Sequence, residues 1–107
     1  MIPYKHGWLV RASERVIKAD QDLWRADRAV EAALAMPEDQ RWEQAATDQR
    51  RNARRALREQ VKALVSEWTE VQGHGSPPAH SEDEWIIYAY RVRMATLGYP
   101  DREGGVL

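Results

Sequence analysis

Leu9-Val10-Arg11-Ala12-Ser13-Glu14-Arg15-Val16-Ile17-Lys18-Ala19-Asp20-Gln21-Asp22-Leu23-Trp24-Arg25-Ala26-Asp27-Arg28-Ala29-Val30-Glu31-Ala32-Ala33 is the stretch that decides the fold. Within it Leu9, Ala12, Val16, Ala19, Leu23, Ala26, Val30 and Ala33 recur at alternating steps of three and four. That is the seam of a coiled coil: larger residues hold one heptad position and alanine the other. An alanine position keeps only a methyl group between two backbones, so the spacing predicts a close antiparallel neighbour. A second stripe, Val10, Ile17 and Trp24, repeats every seven residues on an adjacent face. It needs a third helix or a partner to cover it.

Outward from that stretch, Pro3 and Gly7 predict an extended lead-in that Tyr4 and Trp8 could tuck onto the bundle. A first helix is expected over residues 8–35. Met36-Pro37 ends it, and Pro37, Glu38 and Asp39 suit the first turn of a second helix over residues 37–72, because proline lacks only an unneeded amide and the acids favour the positive end of the helix dipole. So short a connection makes the two helices an antiparallel hairpin. The apolar arc of the second helix is Trp42, Ala46, Ala53, Leu57, Val61, Leu64, Trp68 and Val71, best packed from Leu57 onward. Gly73 closes the helix. Residues 73–80, with two glycines and a proline pair, read as a mobile linker. Ser81 as N-cap and Glu82, Asp83 and Glu84 behind it predict a third helix over 82–97, although Trp85 to Val92 has the residue types of a strand. Residues 98–107 read as a loose tail. The expectation is a single all-α domain over 1–107: a long antiparallel helical hairpin with an Ala-rich, coiled-coil-like seam, plus a shorter third helix.

The chain has 107 residues, net charge -1 and no cysteine, which removes disulfide scaffolding, thiolate metal sites and cysteine catalysis. No apolar run is long enough to cross a bilayer, and the start lacks a signal-peptide core, so a cytoplasmic protein without membrane association is expected. Arginine outnumbers lysine 13 to 3, and there is one asparagine and no phenylalanine. That bias fits GC-rich coding in a bacterium or phage.

The most specific polar feature is Arg50, Arg51, Arg54, Arg55 and Arg58, which fall on an arc of about 140° at 100° per residue. Such a stripe can grip an acidic protein partner or follow a phosphate backbone. It can also be a salt-bridged face: in a hairpin turning near residue 37, Asp27 lies opposite about residue 48 and Asp20 opposite about residue 55. No aromatic interleaves with the arginines, which weighs against single-stranded nucleic acid. Of five tryptophans, Trp42 and Trp68 fall on the core arc. Trp24 and Trp85 either meet each other or, if the third helix docks elsewhere, serve as hydrophobic anchors for a partner.

Catalytic patterns are thin. Glu67-Trp68-Thr69-Glu70 resembles the Glu-x-x-Glu element with which helical nucleotide pyrophosphohydrolases hold magnesium, but no Glu-x-x-Asp pair follows. His6, His74 and His80 fall in predicted loops, and no phosphate loop or nucleophile elbow is present. The third helix is too apolar for a recognition helix. The sequence points to a non-catalytic protein–protein interaction module (adaptor, assembly factor, small inhibitor or viral accessory protein) without cofactor or metal. Part of the seam stays uncovered by so short a third helix, which predicts a homodimer or a complex with a larger partner. The alternative is a nucleic-acid-binding dimer that uses the arginine stripe.

Overall fold

A computed structural model of the chain describes residues 7–38, 42–72 and 75–97. Three helices make up the fold: α1 (Gly7–Leu34), α2 (Glu43–Gln72) and α3 (Glu82–Thr96). Of the lead-in expected over residues 1–7 only Gly7 is described, and it opens α1 instead of preceding it. The stop signals at Gly73 and Gly98 and the tail lie outside the described residues.

α1 and α2 pack along their length as an antiparallel hairpin. Arg15 pairs with Glu67 across it at 3.3 Å, while Asp27 faces Arg50 at 4.0 Å, so numbers rise on one helix as they fall on the other. The alternating seam of α1 is the buried face: Leu9, Ala12, Val16, Ala19, Ala26, Val30 and Ala33 are buried. Leu23 is half-buried beside them. The alanines bring the backbones close and contribute little side-chain volume, so the thickness of the core depends on what else is present at each level.

At the open end of the hairpin α3 supplies that volume. It lies chiefly against α1, on the second stripe, and touches α2 less. Leu9, Val16 and Ile17 of α1, Leu57, Val61 and Leu64 of α2, and Trp85, Tyr88, Ala89 and Val92 of α3 form one buried cluster. Trp68 and Trp85 meet edge to face with centroids 6.2 Å apart, and Trp85 meets Tyr88 likewise at 5.6 Å. Ala79, near the end of the linker, is buried in the same cluster, whereas residues 75–78 are exposed. At the turn end the core shrinks to Val30, Ala33 and Ala46, with Ala29 beside them.

α3 is a helix because its start is capped. The Ser81 side chain accepts a hydrogen bond from the Glu84 amide at 3.2 Å, and Glu84 Oε2 accepts one from the His80 amide at 2.7 Å. Those two bonds and three acids in the first turn outweigh the strand propensity of the aromatic run.

The connection between α1 and α2 differs from expectation. α2 begins at Glu43, not Pro37, and Met36, Pro37 and Glu38 belong to the turn. Proline disfavours helical backbone in the residue before it, so the chain unwinds at Met36. The Met36 amide bonds back to the Ala33 carbonyl at 3.2 Å. Trp42 consequently precedes the helix and is 43% exposed rather than part of the core. Its indole N–H points to the Met36 sulfur at 2.9 Å. Val71, at the other end of the arc, is also exposed.

Candidate interaction face

Two ridges of side chains run from the α3-covered base into the bare stem. On α1 the ridge is Ser13, Ile17, Asp20, Trp24 and Asp27, and on α2 it is Trp68, Val65, Val61, Arg58 and Arg54, each at steps of three and four. At the base α3 lies over the α1 ridge and reaches the α2 ridge at Trp68. Ser13 and Ile17 are buried, Asp20 accepts a 2.7 Å hydrogen bond from the Tyr90 hydroxyl, and Trp68 packs on Trp85. One helical turn further on, α3 no longer covers them. Trp24 is 58% exposed, and Arg54 and Arg58 are exposed too.

Within the arginine stripe the pairing is uneven. Arg50 reaches Asp27 at 4.0 Å, close to the level the hairpin register predicts. Asp20, expected to pair near residue 55, is taken by Tyr90 instead. Arg51 pairs with Asp48 on its own helix at 3.4 Å. These contacts are solvent-exposed and weak. Arg54, Arg55 and Arg58 have no carboxylate partner among the described residues. Of these, Arg55 sits about 100° round the helix from Arg54 and leaves the ridge.

The two tryptophan anchors separate. Trp85 is 6% exposed, because α3 docks on the hairpin and packs the indole edge to face against Trp68. It leaves the set of surface anchors, and it does not meet Trp24. Trp24 lies one heptad beyond Ile17, past the reach of α3, and Arg28 stacks over its ring at 4.0 Å from the centroid. Arg28 is a site residue that the sequence reading missed. Its signal was the four-residue step from Trp24, which puts both on one helix face.

Where α3 meets α1, charge fixes its position. Arg93 holds Glu14 through two hydrogen bonds, and that guanidinium keeps the Glu14 carboxyl below the ordinary carboxylate range against a smaller opposing effect of burial. Burial, helped by the bond to Asp20, pushes the Tyr90 phenol up to about 12.

A second face also escaped the sequence reading. Ile87, Met94 and Leu97, at steps of seven and three, are 58%, 47% and 61% exposed on the side of α3 opposite Trp85 and Val92. α3 is therefore apolar on both sides, the pattern of a helix buried on both sides.

Among the described residues no group of three or more histidine and acidic side chains is placed to hold a metal ion, and no helix is long and apolar enough to cross a membrane. His6 and His74 lie outside the described residues. No known family model, curated protein or solved structure matches the chain.

Proposed function

We propose that this chain is a non-catalytic, cytoplasmic protein-binding module whose partner sits on the stem face formed by Trp24, Arg54 and Arg58, with Arg50 and Arg28 at its margins. One observation carries the reading: the ridges that α3 meets at the base continue into the stem with a 58% exposed tryptophan and arginines that lack carboxylate partners among the described residues. Tryptophan and arginine are the residues most enriched where binding energy concentrates. The base supplies the rigid body that holds this face in place.

The same reading includes self-association through α3. The exposed Ile87, Met94 and Leu97 support it, since a helix apolar on both sides is stabilised when its second side is also removed from water. Light scattering on the purified chain is expected to give a dimer mass, and Ile87→Glu with Met94→Glu a monomer. A monomeric parent chain would remove self-association from the account and leave the stem face unaffected.

The nucleic-acid reading draws on Arg54 and Arg58, one helical turn apart. Against it stand Asp27 and Asp48 beside the stripe, and a count of unpaired arginines too small for strong counterion release. Titration with a short DNA duplex at rising salt tests it. Binding that falls steeply with salt and is lost in Arg54→Glu/Arg58→Glu would put phosphate recognition first.

A further inference from the structure

We infer that the occupant of the stem face is an acidic, amphipathic α-helix of a partner protein, lying along the groove between α1 and α2 beyond the region that α3 covers. The inference rests on the protein-binding reading above and specifies its chemistry.

Shape is the first argument. The groove already holds a helix at the base, where α3 sits over Ser13, Ile17 and Asp20 on one side and meets Trp68 on the other. The ridges keep the same steps into the stem, so the surface that accepts a helix at the base recurs one turn on. From Leu23 to Leu34, beyond the Asp20 that α3 holds, the stem offers about 16 Å, room for about three turns. Its own core of Val30, Ala33 and Ala46 is thin, so a third helix there would add the volume that α3 adds at the base.

Charge spacing is the second. Arg50, Arg54 and Arg58 stand four residues apart, one per turn, with successive guanidinium groups rising by about 6 Å. A helix with carboxylates at i, i+4 and i+8 along one edge matches that repeat. Arg54 and Arg58 supply unpaired charge, and Arg50, held to Asp27 only at 4.0 Å, can exchange partners at small cost. An apolar stripe on the same helix would cover Trp24. The α1 side of the stem carries Asp27 and the exposed Glu31, so the helix edge facing α1 must be neutral or basic. That asymmetry, acidic toward α2 and not toward α1, sets the orientation of the occupant and disfavours a uniformly anionic ligand such as a nucleic acid.

The test is a selection from a displayed library of helical peptides of about 18 residues against the full chain, followed by affinity measurements on Trp24→Ala, Arg54→Glu/Arg58→Glu and the neutral Arg54→Gln/Arg58→Gln. Far-UV circular dichroism confirms that each variant folds. The expected binders carry acids four residues apart beside an apolar stripe. They weaken by about tenfold or more on Trp24→Ala and on either arginine pair, and regain affinity for Arg54→Glu/Arg58→Glu when their acids are changed to arginine. Binders that depend on Trp24 but lack the acidic repeat would overturn the inference and leave the protein-binding reading standing. Binders indifferent to all three variants would overturn both. A short DNA duplex that binds through Arg54 and Arg58 where no peptide does would overturn both in favour of phosphate.

Discussion

Arg93 of α3 donates from Nε to Glu14 Oε1 at 2.9 Å and from Nη2 to Glu14 Oε2 at 2.6 Å, a paired grip on α1. Both side chains stay partly exposed, at 33% and 44%. The pair thus does more to orient α3 than to stabilise it. A double-mutant cycle on Glu14→Gln and Arg93→Gln is expected to give a coupling of at most about 1 kcal/mol. Because Glu14 titrates below its ordinary value of 4.5 in the fold, its contribution is complete above that pH and is lost as pH falls through the lowered value. Urea unfolding followed from pH 6 to 3 should show Glu14→Gln with a shallower acid limb than the parent. Equal acid limbs would sink the assignment.

Tyr90 gives the opposite dependence. Its phenol is pushed up to about 12 by burial and by its bond to Asp20, so the fold favours the protonated form. The corresponding stability is complete below the ordinary tyrosine value of 10 and disappears as pH rises toward 12. Ultraviolet titration of the four tyrosines should show a late step near 12 that is missing in Tyr90→Phe.

The tryptophans should divide cleanly in a stability assay. Trp85 is buried between Trp68 and Tyr88, and Trp85→Ala is expected to cost about 3–5 kcal/mol by urea denaturation. Trp24 is 58% exposed and gives up a smaller covered area together with the stacked Arg28, so Trp24→Ala should cost only about 1 kcal/mol. Comparable losses at both sites would mean that Trp24 is covered in solution by something other than α3.

Ser13 is buried, and its hydroxyl has no hydrogen-bond partner among the described residues. A buried hydroxyl left without a partner is unfavourable, so Ser13→Ala should be neutral or stabilising by up to about 1 kcal/mol. Ser13→Leu should destabilise by about 1–3 kcal/mol, because Ser13 is already enclosed and an enclosed position has little room for added volume. Thermal melts of the two variants give the comparison directly.

The hairpin was legible because its signal is periodic: the alternation from Leu9 to Ala33 fixes the buried face whatever packs on it. The third helix was legible from Ser81 and the acids behind it, despite strand-forming neighbours. Less visible was the start of α2. Pro37 and its acids are good helix openers in isolation, yet α2 begins only at Glu43. Trp42 was misplaced for the same reason, because a helical-wheel position has meaning only inside the helix. Trp85 could not be assigned without knowing where α3 docks. The pairing of the arginine stripe was only partly visible, because periodicity does not reveal that Tyr90, distant in sequence, takes Asp20.

The unequal thickness of the hairpin's core bears on cooperativity. At the base three helices share large side chains, whereas at the turn Val30, Ala33 and Ala46 hold two helices together almost unaided. Heat should therefore loosen the turn end first, so that calorimetric and van't Hoff enthalpies diverge and no single melting temperature describes the isolated chain. Occupying the stem would join the two ends into one melting unit, and binding would then register as a sharper transition as well as a hotter one.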